Sequence, residues 1–385
     1  MKRSTDRILS TFVGSLVRPP RLRELQQAIA DGQPVDPRTY ADCLRESVAE
    51  AVRKQAEVGL DVVSDGEYGK SNWAGYILER VGGFEVRAAP PGTPVYDRIG
   101  ADRETFADYY TRQAVGEWTP RIVACIGPIT YNPAQLLRDI ENFRLALSQV
   151  QVAEAFMPAV APASFVREAA NEYYPSEEAY VYAVAEALRS EYRTIIDARF
   201  LLQVDDAVLA TMWLLMADQG MDTYRRWAQL RIEALNHALE GIPQDRIRYH
   251  LCWGSWPGPH TTDVPLRAII DLVLQVRAGA YALEAANPRH EHEWRVWQDV
   301  RLPEGTTLIP GVISHSTPVV EHPELVAERI VRFAEVVGRE NVIAGSDCGF
   351  AQSQGLQRVT PSIMWAKLRA LADGARLASA ELRYA

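Results

Sequence analysis

Short, unbroken apolar runs recur along the chain, and between them lie longer stretches in which apolar residues return every three or four positions. The runs at 8–13, 60–64, 200–204, 247–252, 281–285, 307–313 and 342–344 are continuous rather than alternating, the pattern of strands buried on both faces of a parallel sheet. The intervening stretches carry helix punctuation. Asp36 predicts an N-cap, Pro37 suits a first turn, and Gly59 suits a left-handed stop. Further helices are predicted over 176–198 and 222–239, over 264–276 with Asp263 as cap and Gly279 as stop, from His322-Pro323 to Gly338, and from Pro361 onward. Eight or nine strands alternating with helices, with no linker and no second composition regime, predict a single α/β unit over 1–385, a (β/α)8 TIM barrel.

One region departs from the alternation. Residues 82–130 contain the loop chemistry of Ala88-Ala89-Pro90-Pro91-Gly92-Thr93-Pro94 and the aromatic Asp108-Tyr109-Tyr110, and they predict an inserted excursion over the barrel mouth. Two segments compete for the third barrel strand, 122–129 and 156–166, and the second is preferred.

Composition narrows the class of partner. A net charge of −9 and the lack of any dense Lys/Arg block argue against nucleic acid. No apolar run reaches membrane-spanning length, so no membrane partner is expected, and the first residues lack the continuous apolar stretch of a secretion signal. Four cysteines in 385 residues do not make a disulfide framework, and a reducing, cytoplasmic setting is expected. Cys43 falls on a helical apolar stripe and Cys125 inside an apolar run, so burial explains both.

The other two cysteines change the picture. His250 and Cys252 are two apart on a predicted strand and leave the same face, while Glu284 and Cys348 close two other strands. One imidazole, two thiols and one carboxylate suit tetrahedral zinc. A packed His/Cys pair is the plainer alternative, since free cysteine is among the most buried residue types. Glu67, Asp205 and His315 also fall at C-terminal strand ends, where barrels carry their chemistry. His290 and His292 look like a second ligand pair, but i and i+2 do not share a face at a helix start, so a structural role is expected.

Taken together, Thr11-Phe12-Val13-Gly14-Ser15, Ser64-Asp65-Gly66-Glu67, Gln203-Val204-Asp205-Asp206, His250-Leu251-Cys252, Leu283-Glu284, His315-Ser316 and Asp347-Cys348-Gly349 resemble the cobalamin-independent methionine synthase family, specifically its C-terminal catalytic barrel. The stretches 285–294, 321–329 and 338–345 resemble its short single-barrel branch, which includes epoxyalkane:coenzyme M transferase. The resemblance implies Zn2+ on His250, Cys252, Glu284 and Cys348, a small thiol acceptor, and an alkyl donor, a methylated folate among the candidates. His315 is then the proton-handling residue, Asp205 and Glu67 hold the amino group of homocysteine, and Gly14 and Ser15 its carboxylate. Arg18 and Lys70 are cations near these loops that could meet an acidic thiol tail, and Trp253, Tyr68 and Trp73 are candidate pocket aromatics. The implied activity is S-methyl transfer. The alternatives are epoxide opening by a thiol and a non-catalytic zinc or thiol carrier. A homo-oligomer is compatible with each.

Overall fold

The computed structural model describes residues 1–88, 100–112, 121–167, 169–353 and 358–383. Eight strands form one sheet: β1 (Leu9–Ser10), β2 (Val62–Val63), β3 (Glu154–Val160), β4 (Leu201–Asp206), β5 (Ile247–Leu251), β6 (Ala280–Leu283), β7 (Thr307–Ile313) and β8 (Ile343–Ser346). Every pairing in this sheet is parallel, each strand from β2 to β8 pairs with the next, and β8 returns to β1. Backbone contacts draw β1 and β2 together: Asp61 N donates to Ser10 O at 3.0 Å, and Thr11 Oγ1 to Val62 O at 3.0 Å. The result is the expected (β/α)8 TIM barrel.

Register builds the interior. Asp205 of β4 aligns with His250 of β5, and His250 with Ala282 of β6. One layer below, Gln203 aligns with Arg248 and Arg248 with Ala280. Residues two apart share a face, so these side chains form two stacked inner layers. The lower layer is polar and bonds the residues that follow β1: Arg248 donates to Thr11 Oγ1 at 3.1 Å and Phe12 O at 3.0 Å, and Gln203 to Val13 O. This floor fixes the loop that follows β1 beneath the strand ends that matter.

Outside, the helices bury their apolar stripes against the strands. Their ends follow the punctuation. Asp36 accepts from Arg38 N and Thr39 N at the start of Pro37–Glu57, Ser176 from Ala179 N before Glu177–Asp197, and His322 from Glu324 N before Pro323–Val337. Gly59 and Gly338 take φ of +93° and +88°, a conformation costly for any side chain. Helix Pro20–Ala30 goes beyond the sequence expectation. Asp263 does not cap the helix after β5, which begins at Leu266 behind Pro265. Its carboxylate instead lies 3.0 Å from His260 Nδ1 and 3.2 Å from His290 Nε2.

The competition for the third strand resolves in favour of β3, although the strand ends at Val160 and a short helix, Pro162–Val166, follows. Segment 122–129 lies within Arg121–Tyr131, which pairs antiparallel with Val81–Ala88. That hairpin is the excursion; its loop residues 89–99 lie outside the described residues, as do 113–120. Two short helices, Asp102–Thr105 and Ala107–Arg112, bring it back over the barrel. Tyr109 Oη donates to Pro257 O, and Asp102 accepts from Thr261 N at 2.8 Å. The excursion is thus fastened to the loop after β5. Among the described residues no helix is long and apolar enough to cross a membrane.

Candidate metal centre

Three ligand-grade side chains converge at the C-terminal mouth. His250 ends β5, Cys252 follows it, and Cys348 follows β8; one potential donor atom from each lies within 4.8 Å of the others. The two sulfurs are 3.5 Å apart. Ligands at ordinary Zn–S and Zn–N lengths of ~2.1–2.3 Å sit roughly 3.5–3.8 Å from one another around a tetrahedral ion. Both ring nitrogens of His250 are buried with no hydrogen-bond partner among the described residues, a costly state for an imidazole unless a further ligand is meant to satisfy it. The donor set and its spacing fit zinc.

Backbone contacts hold the three in place. Cys252 N donates to Asp206 O at 3.2 Å, and Gly254 N points at Cys252 Sγ at 3.3 Å. Ser255 Oγ lies 3.1 Å from Cys348 Sγ and 3.7 Å from Cys252 Sγ. Asp347 fastens the Cys348 turn to the end of β6: Oδ1 accepts from Ala285 N and Ala286 N, both at 2.8 Å, and Oδ2 from Asn287 Nδ2 at 3.2 Å.

Electrostatics match a site that exchanges protons for a cation. The Cys252 thiol beside it holds Cys348 well below the usual thiol range, against the opposing effect of burial, with His250 and His315 adding to the shift. Cys252, sharing its proton with Cys348 and buried, is pushed well above that range. Burial disfavours charge on His250, yet the Cys348 sulfur and the Asp205 and Glu284 carboxylates lift it to about 9. A metal binding here displaces these protons.

Glu284 stands apart from the three. Its Oε1 accepts from Trp253 N at 2.8 Å and its Oε2 from Asn287 Nδ2 at 2.7 Å, and burial lifts its carboxyl to about 7. It is not among the convergent ligand atoms. His315 is buried with both ring nitrogens unpartnered among the described residues, and burial lowers it to about 4, so it is a neutral imidazole at pH 7.

A cavity of about 160 Å³ opens beside the sulfurs and is lined by Ser15, Glu67, Asp205, His250, Cys252 and Cys348 among others. That is the scale of a cavity known to admit one benzene, ~150 Å³. Gly14, Glu284 and His315 are not among its lining residues. Asp205 Oδ1 accepts from Gln203 Nε2 at 2.8 Å, and burial, with the charge of Glu67, lifts the carboxyl to about 7. Glu67 sits at φ +58° and pairs with Lys70 at 3.0 Å. Gly14 has φ +133°, and a Cβ there would come 2.6 Å from Pro158 Cγ and 3.2 Å from Glu67 Oε1. The Ser15 hydroxyl accepts from Ala351 N at 3.3 Å, tying the β1 loop to the loop that carries Cys348.

Other expectations are redirected. Lys70 is spent on Glu67 and on Pro158 O at 2.8 Å, and Arg18 on the carbonyls of Glu67 and Lys70. Trp253 and Tyr68 are core residues that donate to Val264 O and Val17 O, whereas Trp73 does line the cavity. His290 is buried between Glu293 and Asp263 and packs on Trp253, a structural role, while His292 is exposed. Cys43 and Cys125 are buried away from the site. Sequence reasoning missed Ser255, Trp256, Gln352 and Arg358, all on the cavity wall. None sits at a strand end, which was the signal in use.

The structure is an α/β barrel with a candidate metal site, the His/Cys/Cys cluster at its strand ends. The chain belongs to the family described as cobalamin-independent synthase, catalytic domain, whose profile matches residues 8–90 and 158–370. It is 26% identical to the 2-hydroxypropyl-CoM lyase of Xanthobacter autotrophicus over 89% of this chain and 86% of that protein. It is 24% identical to the methionine synthase of Sulfolobus acidocaldarius, over 88% and 85% of the two chains. In fold it matches a B12-independent methionine synthase from Shewanella, solved with selenomethionine, at a TM-score of 0.73, with 17% identity and 98% and 99% of the chains covered.

Proposed function

We propose that the protein is a zinc-dependent thiol alkyltransferase, most simply an S-methyltransferase acting on homocysteine or a similar small thiol. The observation that carries this reading is the convergence of His250, Cys252 and Cys348 on the wall of a small cavity that also presents Asp205 and Glu67. Relatives named methionine synthase support it.

His250, Cys252 and Cys348 would hold the zinc, with Glu284 the fourth group in reach of the same loops. When bound, zinc supplies the Lewis acidity that keeps a thiol ionised at neutral pH, where a free thiol of pKa ~8.5 is mostly protonated. The residues of the chain do the rest. Asp205 and Glu67 offer carboxylates to an ammonium group, and Gly14 and Ser15 shape the turn that faces the substrate carboxylate. His315 is assigned to relay a proton: as a neutral imidazole it takes up at one nitrogen the proton that the substrate thiol gives up and passes the proton on its other nitrogen to the leaving atom. The buried walls exclude water from the ionised sulfur.

A second reading keeps the same centre but opens an epoxide with the thiol, and the lyase relative favours it. Zinc content and product analysis test both. Purified protein should hold one zinc per chain and lose it in Cys348→Ala without losing its fold. Methyl transfer to homocysteine identifies the first reading, and thiol-dependent epoxide consumption the second. A Cys348→Ala protein that lacks zinc and retains full activity refutes the shared premise.

A further inference from the structure

The cavity is charged on two sides, and only one side is internally neutralised. Glu67 and Asp205 have Lys70 at hand, which pairs with Glu67 at 3.0 Å. Arg358 lines the other side together with Gln352, and its charge faces the sulfurs of Cys348 and Cys252. The guanidinium is poorly satisfied. Nε donates to Gln352 Oε1 at 3.0 Å, while Nη1 is sealed from solvent and has no partner among the described residues. Other buried arginines each reach a strong acceptor with an Nη: Arg80 a carboxylate, Arg248 and Arg18 main-chain carbonyls. Among the described residues Arg358 donates only sideways, to a neutral amide. A buried guanidinium N–H left open costs free energy unless something entering the cavity accepts from it.

What enters must accept hydrogen bonds, carry negative charge and be small. The planar fork of arginine matches carboxylate and sulfonate alike. Building on the thiol reading above, we infer that Arg358 recognises an anionic group, carboxylate or sulfonate, at the other end of the substrate thiol. The site therefore selects short thiols that carry an anionic tail over those that carry none. Gln352 holds the guanidinium plane from the side, which leaves Nη2, not sealed like Nη1 and without an acceptor among the described residues, for the ligand. Arg358 touches the tail of the substrate and not the reacting sulfur, so it sets specificity rather than the chemistry of transfer.

Calorimetric titration of the zinc-loaded protein tests this without any turnover. Four thiols form the series: homocysteine, 2-mercaptoethanesulfonate, neutral 2-mercaptoethanol and cationic cysteamine. The parent protein should bind at least one of the two thiols with an anionic tail, zwitterionic homocysteine or 2-mercaptoethanesulfonate, about tenfold or more tighter than 2-mercaptoethanol. Arg358→Gln should weaken that thiol about tenfold to a hundredfold and leave 2-mercaptoethanol within about twofold. Arg358→Lys should recover part of the loss, because it restores charge without the fork. Which anionic thiol is preferred separates an amino-acid thiol from a sulfonate. Equal loss for tailed and untailed thiols would overturn the inference and leave Arg358 as a counter-charge to the cysteines. A parent protein indifferent to the tail would overturn it even if the variants fail to fold. If no thiol binds the zinc-loaded parent, the thiol reading fails and takes this one with it.

Discussion

Asp347 is the residue whose removal should most clearly separate the metal centre from the barrel beneath it. It is fully buried and accepts three hydrogen bonds, from Ala285 N, Ala286 N and Asn287 Nδ2. Asp347→Ala leaves these donors without an acceptor, at ~1–3 kcal/mol each. Against that stands relief from burying a carboxyl lifted by desolvation to about 6. The net cost expected is therefore toward the lower end, ~2–4 kcal/mol. Asp347→Asn keeps one acceptor oxygen for the two backbone groups and turns a donor toward Asn287, so ~1–2 kcal/mol is expected. Because the turn carries Cys348, zinc affinity should fall ~10–100-fold in the alanine variant. Urea unfolding of the metal-free protein, followed by tryptophan fluorescence and by far-UV circular dichroism, measures the first quantity. Competition with a chromophoric chelator measures the second. An alanine variant within ~1 kcal/mol of the parent that binds zinc equally well would refute the idea that Asp347 joins the two loops.

Asp205 supplies a pH test. Burial lifts its carboxyl from 3.8 to about 7, so the folded chain holds this proton more tightly than the unfolded chain. Its contribution is present below the unfolded value and is lost as pH rises through about 7. Asp205→Asn should therefore flatten the fall in the metal-free urea midpoint between about pH 4 and pH 7, and an unchanged slope would count against the shift. Arg80 pairs with Asp139 at 2.8 Å and Glu191 at 3.2 Å deep in the fold; Arg80→Ala should cost ~3–5 kcal/mol in the same assay by leaving two buried carboxylates. Gly14→Ala forces a side chain onto φ +133° and toward Glu67 Oε1. It should weaken homocysteine binding more than 2-mercaptoethanesulfonate binding, and equal effects on both would sever Glu67 from ammonium recognition.

Much of the scaffold was readable because parallel strands leave an unmistakable trace. Thr307–Ile313 runs as expected, and His250 and Cys252 stand together at the end of β5. Misreadings arose where a residue serves a distant partner. Asp263 has the chemistry of a cap and precedes an apolar run, yet two histidines claim its carboxylate. Lys70 and Arg18 look free in sequence but serve carbonyls and Glu67 brought in by the fold. Glu284 is no misreading of position: it reaches the expected strand end, where its oxygens accept from Trp253 N and Asn287 Nδ2. Arg358 lay outside any strand-end rule, because its position depends on how the loop after β8 folds back over the cavity.

Cys252 and Cys348 meet at 3.5 Å although 96 residues separate them and two strands stand between theirs. A chain emerging from the ribosome therefore carries only the His250/Cys252 pair of the cluster until Cys348 has been made. Tight capture of a metal must wait for β6, β7 and β8 to assemble, so zinc uptake in a refolding experiment should trail the return of helical signal. An ion held there would act as a tie across this stretch of chain, discouraging the late strands from peeling away. A nascent or clipped chain that lacks Cys348 has no such tie, and it offers proteases an open barrel instead of a sealed one.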